Sequence, residues 1–124
     1  MSKLSKKISK SALKKKCDKL FSQIIRSKGF CEFKGKDKVK CSSVLNTMHI
    51  FSRTNLRLRW DENNVICGCA GHHRYYTTNN FEFIEAVMKW WPEKYRYIQK
   101  HKNETDQEPL EYYQRLRHQE EYEI

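Results

Sequence analysis

The sequence has no apolar run approaching the length of a membrane span. Its first sixteen residues, "MSKLSKKISKSALKKK", hold seven lysines, no acidic residue and no apolar stretch of the kind a secretory signal needs. Hydrophobic residues make up only 38% of the 124-residue chain, enough for one domain with a modest core, and there are no internal repeats. These absences argue against a membrane helix and for a reducing, cytosolic compartment. The five cysteines, an odd number, are then expected to be metal ligands or core thiols rather than disulfides. A core this thin is often stapled by a metal.

What is abundant is positive charge, and it is unevenly placed. Residues 1–40 carry 14 Lys+Arg against 3 Asp+Glu, residues 41–100 carry 8 against 5, and residues 101–124 carry 3 against 7. A basic front half fits a polyanionic partner, nucleic acid above all, with Lys14, Lys15 and Lys16 contributing. It also fits a solvated lysine tail that aids solubility.

Residues 1–10 are expected to form a disordered basic tail. From Ser11, the residues Leu13, Cys17, Leu20, Phe21, Ile24 and Ile25 recur at helical spacing, with Ser9 or Ser11 as cap and Gly29 as the stop. Cys17 lies on that apolar stripe and reads as core. A Gly-bounded turn then leads into a strand-like run over 44–51, with 39–41 as a candidate partner strand. "SRTNLRLRWDENN" reads as a basic loop, "VICGC" as a short apolar run, and "AGHHRYYTT" as a short helix. In "NNFEFIEAVMKWWPEKY", Phe81, Ile84, Val87, Met88 and Trp91 share one helical face, with Asn79 or Asn80 as cap. Pro92 breaks this helix before "EKYRYIQKH" resumes as another. The polar "NETDQE" links to "PLEYYQRLRHQEEYEI", a helix opening on Pro with a thin stripe of Leu110, Tyr113 and Leu116.

Cys69 and His72 form a C-x2-H pair, a spacing that lets one tight turn present two ligands to a tetrahedral zinc ion. Cys31 and Cys41, flanking the "EFKGKDKVK" turn, complete a Cys3His set; buried, unliganded thiols are the alternative. Cys67 stands two before Cys69, so on a strand both would face the same side. It could substitute as a ligand but reads as core. Arg53, Arg57 and Arg59, three arginines in seven residues, are either donors for phosphate oxygens or solvated loop charge.

The ordered set of "MHIFSR", "RWDENNVICGC" and "AGHHRYY" resembles the HNH nucleases, also called ββα-metal or His-Me finger proteins, over roughly residues 28 to 100. The likeness is greatest to small phage HNH proteins, including phage recombination endonucleases. The resemblance implies an α+β fold: a ββα-metal finger with a structural zinc knuckle, flanked by N- and C-terminal helices. It implies that His49 is the general base, that Asn64 fixes the loop orienting it, and that His73 is a ligand of a catalytic Mg²⁺ or other divalent cation. Cys69 and His72 match the second half of the zinc knuckle, His72 standing where that family usually has cysteine. Lys34 and Lys36 occupy the spacings of a further knuckle cysteine. Met48 precedes His49 where many relatives have a metal ligand, and Thr77 lies four after His73 where several have another His.

On this reading, residues 1–10 are the tail, 11–101 the nuclease domain with its N-terminal helix, and 102–124 a polar linker and acidic helix. The expected function is metal-dependent hydrolysis of DNA phosphodiesters by a phage or mobile-element protein in the cytoplasm of a bacterial host, with no membrane partner. DNA contacts are expected from Arg53, Arg57, Arg59 and the lysines at 14–16. Chemistry independent of the family name agrees. Phosphodiester hydrolysis needs a base near water, which histidine supplies near neutral pH, and positive charge around the phosphate. The alternative is a catalytically weak or inactive, zinc-stapled nucleic-acid-binding module. A third reading, a protein–protein adaptor, would rest on the acidic, Tyr-rich tail.

Overall fold

The computed structural model describes residues 9–104, 111–112 and 114–116. Most of the expected basic tail, together with Leu110 and Tyr113 of the C-terminal stripe, lies outside the described residues. Helix α1 spans Lys10–Arg26. Ser9 caps it, its hydroxyl accepting the Ala12 N–H at 3.1 Å, which satisfies one of the orphan amide groups of the first turn. Leu13, Cys17, Phe21 and Ile25 form its buried stripe at the expected spacing. The helix ends three residues before Gly29, whose positive φ of 81° turns the chain.

Strand β1 (Leu45–His49) pairs antiparallel with β2 (Val65–Cys69), Leu45 opposite Cys69 and His49 opposite Val65. All five residues of β2 are buried, because this strand has a core on each face. Val65 and Cys67 join Cys17, Phe21, Ile25, Trp60 and Leu116 on the α1 side. Ile66 joins Phe33, Met48 and the helices that follow on the other. A strand covered on both faces reads as a continuous apolar run, as "VICGC" does. The outer edge of β2 is also paired. Glu32 N–H donates to the Cys67 carbonyl and Cys67 N–H to the Glu32 carboxylate, both at 2.8 Å, so no buried amide of Cys67 is left unpaired.

Between the strands, the expected basic loop contains a short helix, α2 (Leu56–Arg59), and a 3-10 turn over Glu62–Asn64. Asn55 and Asp61 cap them, accepting from Leu58 N–H and Asn63 N–H. Asn and Asp before short polar-apolar runs are cap signals that a count of charges overlooks. The candidate strand at 39–41 is not formed. β1 takes β2 as its partner, and the 39–41 segment carries Cys41 elsewhere. Helix α3 (Ala70–Thr78) follows β2 directly, then α4 (Asn80–Trp90) and α5 (Pro92–His101), which Pro92 opens at a first-turn position. No helix among the described residues is long and apolar enough to cross a membrane.

The expected face of α4 is met in part: Val87 is buried and Ile84 and Trp91 pack against the core, but Phe81 and Met88 do not. Phe83, Ala86 and Val87 are buried and Trp90 packs beside them, at i, i+3, i+4 and i+7. Phe81 is 90% exposed and Met88 48% exposed. The docked surface is centred on Phe83, Ala86 and Val87 and so is rotated from the expected face, which shares Val87 with it. Phe83→Ala is therefore expected to destabilise the protein by about 3–5 kcal/mol. Phe81→Ala should move stability by no more than about 0.5 kcal/mol. Urea unfolding of the two variants measures both, and a large loss at Phe81 would restore the expected face.

Candidate metal centre and the adjoining histidine cavity

β2 passes into α3 at Cys69, and this junction builds the first site. Cys69 is both the last strand residue and the helix cap, its sulfur accepting the His72 N–H at 3.4 Å. Cys69, the last paired residue of β2, packs in the cluster of Cys31 and Phe33, while Cys67 packs in the other. Cys67 is a core thiol, as is the fully buried Cys17, which burial pushes up to about 11.

Cys31, Cys41, Cys69 and His72 converge, their ligand atoms all within 4.8 Å of one another. His72 Nδ1 lies 3.6 Å from Cys31 Sγ, 3.7 Å from Cys41 Sγ and 3.2 Å from Cys69 Sγ. A tetrahedral zinc with ordinary bond lengths sets its sulfur and nitrogen vertices roughly 3.6 Å apart, so the four residues lie close enough to hold a metal ion. The surroundings fit cation binding as well. His72 Nε2 donates to Asp37 Oδ1 at 2.8 Å, which leaves the Nδ1 lone pair for the sulfur side. Asp37 also accepts from the Tyr76 hydroxyl (2.6 Å) and from Val39 N–H (3.0 Å). Burial raises the Asp37 pKa, but these donors outweigh it and hold the carboxyl below its ordinary range. Phe33 stacks on His72 with ring centroids 5.1 Å apart.

The thiols show the electrostatic cost of such crowding. Burial would push Cys69 up, yet the His72 and Ser42 N–H groups aimed at its sulfur bring it to about 6. Cys41 is pushed up to about 11 by burial and by the neighbouring sulfurs of Cys31 and Cys69. Several thiolates can share this space only with a cation among them.

The next residue, His73, points into a different place. His49, at the end of β1, and His73, on α3, both line a cavity of about 430 Å³ against Asp18, Phe21 and Arg53, and also a smaller one of about 200 Å³ towards Thr77 and Asn80. His49 Nε2 bonds the Arg59 carbonyl at 2.8 Å. A carbonyl can only accept, so Nε2 carries the proton and Nδ1 the lone pair. Burial lowers the His49 pKa below its ordinary value; the Arg59 carbonyl opposes this and the Arg53 charge adds to it. Asn64 stands behind the cavity, fully buried. Its amide donates to the carbonyls of Phe51 (3.2 Å) and Leu58 (3.0 Å), and its oxygen accepts Phe51 N–H at 2.7 Å. It thereby pins both ends of the 51–58 segment.

The three arginines part company. Arg53 lines the larger cavity with its side chain 56% exposed. Arg57 is tied to Asp61, Tyr97 and Glu104. Arg59 grips Asp18. Lys15 and Lys16 are exposed on α1, and Lys14 is partly buried. Sequence reasoning missed Asp18 and Asp37. Neither stands in a motif, and each meets its side-chain partners on segments 35 to 42 residues away. No family model, curated protein or solved structure matches the chain.

Gly71 tests the metal centre directly. A Cβ there would lie 2.7 Å from the Lys40 carbonyl, and backbone cannot swing aside as a side-chain tip can. Gly71→Ala must therefore displace the segment bearing Cys41. The expected outcome is a loss of about 1–3 kcal/mol and release of bound metal at lower chelator concentration, read by thermal melts and a colorimetric zinc indicator. Unaltered retention would show that Cys41 tolerates the shift.

Proposed function

We propose that this chain is a metal-dependent endonuclease of the HNH (ββα-metal) type, hydrolysing phosphodiester bonds in DNA. One observation carries the reading: His49 and His73, from a strand end and a following helix, line one cavity, and His49 is held in the tautomer that leaves Nδ1 free to take a proton. Two paired strands followed by a helix, with α2 and a 3-10 turn between the strands, support this reading. Cys31, Cys41, Cys69 and His72 bind a structural zinc, which fixes the start of α3 and so the position of His73.

In this mechanism, His49 Nδ1 accepts a proton from the attacking water. Arg53 donates to a non-bridging phosphate oxygen at the cavity mouth. Asn64 keeps the intervening loop in place, and with it the Arg59 carbonyl that orients His49. A divalent cation, Mg²⁺ or a similar ion, would supply charge stabilisation at the phosphate and the leaving oxygen, with His73 as its protein ligand. Lys15 and Lys16 add sequence-independent attraction for the backbone. The setting would be a phage or mobile-element protein in a bacterial cytoplasm.

A second reading has its own support. Met48 is buried in the core beside His49, and the Thr77 hydroxyl is turned to the His73 carbonyl, which leaves His73 with few strong cation ligands beside it. This favours a zinc-stapled DNA-binding module with little or no activity. Nicking of supercoiled plasmid by the purified chain across Mg²⁺, Mn²⁺, Ni²⁺ and EDTA separates the two, and the absence of cation-dependent nicking would leave the binding module. Elemental analysis of protein purified without added metal is expected to give one zinc per chain; a folded, zinc-free protein would remove the zinc from both readings.

His49→Ala is expected to lower the cleavage rate roughly 10²–10⁴-fold while sparing zinc content and DNA affinity. Excess cation should partly restore His73→Ala but not His49→Ala, because added metal can compensate a lost ligand and cannot replace a base. Cleavage rate against metal concentration for both variants checks this, and a fully active His49→Ala would move the base elsewhere.

The pH profile follows from the sign of the His49 shift. The neutral ring is the active form and burial lowers its pKa. Activity should therefore hold as pH falls through about 6.5, the ordinary histidine value, and decline only below it. Rates measured from pH 5 to 8 report this, and a midpoint above the ordinary value would contradict the assigned environment.

A further inference from the structure

We propose that Asp18, on helix α1 and outside the strand–strand–helix unit, is the positioning residue for His49; the inference rests on the cavity reading above and deepens it. The Asp18 carboxylate receives four donors. Arg59 gives Nε to Oδ1 (3.0 Å) and an η-nitrogen to Oδ2 (2.7 Å), Trp60 gives its indole N–H to Oδ1 (2.9 Å), and Arg53 gives one η-nitrogen to Oδ2 (2.9 Å). The first three form a clamp from two consecutive residues, and bidentate Arg–carboxylate pairing fixes geometry as well as charge. The remaining η-nitrogen of Arg59 donates to the Arg53 carbonyl at 3.3 Å, which ties the ends of this loop together.

The clamp acts on His49 through the backbone. Arg59, whose side chain Asp18 holds, is the residue whose carbonyl accepts from His49 Nε2 at 2.8 Å. The position of that carbonyl sets both the ring orientation and the tautomer, and the clamp sets the position of that carbonyl. The same helix brings Phe21 to the face of His49, with ring centroids 6.3 Å apart, and links Ser22 to Thr47 of β1 by a hydroxyl pair at 3.1 Å. Helix α1 is thus a wall of the cavity and the anchor of its base.

The two arginines on Asp18 have different roles. Arg59 is 17% exposed and doubly bonded; Arg53 is 56% exposed and holds by one bond. One carboxylate under two guanidiniums leaves a net positive charge at the cavity mouth. Arg53 can exchange Asp18 for a phosphate oxygen while Arg59 keeps the carboxylate paired.

The experiment uses the full chain with Asp18→Asn, Arg59→Gln and the double variant, and two readouts. Ring-nitrogen NMR of His49 reports its tautomer without reference to activity, and plasmid nicking reports the rate. Wild type should show the Nε2-protonated ring. Each single variant should show a mixture of tautomers and a rate lower by about 100-fold, the cost of a misplacement of about 1 Å. The double variant should be no worse than either single one, because both remove the same clamp. Folded variants with the wild-type His49 resonances, or losses that add, overturn the proposal. If Asp18→Asn does not fold, Arg59→Gln carries the same comparison. If wild type nicks nothing with any cation, the nuclease reading fails, and the ring-nitrogen spectra alone decide whether Asp18 positions His49.

Discussion

The turn from strand to helix at Cys69 is the constraint on which both sites depend. There one residue ends β2, caps α3 and gives a sulfur to the Cys/His cluster. Beyond it the chain is helical, and successive side chains diverge by about 100°. His72 consequently turns into the cluster, fully buried against Phe33, and His73 turns towards His49. Had the strand continued by two residues, the pair would have alternated across a sheet, and the cap, the cluster and the cavity would all be lost.

Around that junction the protein secures its polar groups by covering them from distant segments. The 31–42 stretch has no regular secondary structure, yet it supplies two cysteines, pairs the free edge of β2 and aims the Asp37 carboxylate at His72. The 50–64 stretch is similar. Asn64, Asn55 and Asp61 hold it through side-chain bonds to backbone, the usual way an irregular segment satisfies groups that strands and helices satisfy internally. A Cys/His cluster close enough to hold a metal ion in the first stretch and amide pinning in the second stand in for a larger core, in keeping with the low apolar content of the chain.

Charge is divided by depth. All three arginines of the 53–59 segment are paired with carboxylates, Arg57 and Arg59 with little exposure and Arg53 exposed at the cavity mouth. Lys15, Lys16 and Lys19 of α1 are exposed. For the proposed nuclease, this separates long-range attraction, which salt screens, from the short-range contact at the reacting phosphate, which the cavity walls shelter.

Much of the fold was legible in the sequence. The apolar stripe of α1, its Ser9 cap, the buried run at β2, the short helix with its paired histidines and the break at Pro92 all follow from local periodicity and capping, which depend on residues within a turn or two. The Cys31, Cys41, Cys69 and His72 grouping was legible too, because ligand types are scarce and their candidates few. Hydropathy could not fix the docked surface of α4, since the decision lay with the surface it would meet. It could not see α2 or the 3-10 turn, which side-chain caps stabilise. Nor could it assign Asp18 and Asp37, because an exposed acid and an anchoring one are identical until a partner arrives from far along the chain. The sequence by itself determined the longer helices, the paired apolar strands and the four residues that lie close enough to hold a metal ion. Only the tertiary structure decided which face is buried, which charges are already paired and which histidines share a cavity, because each of those is a property of two surfaces in contact rather than of one segment.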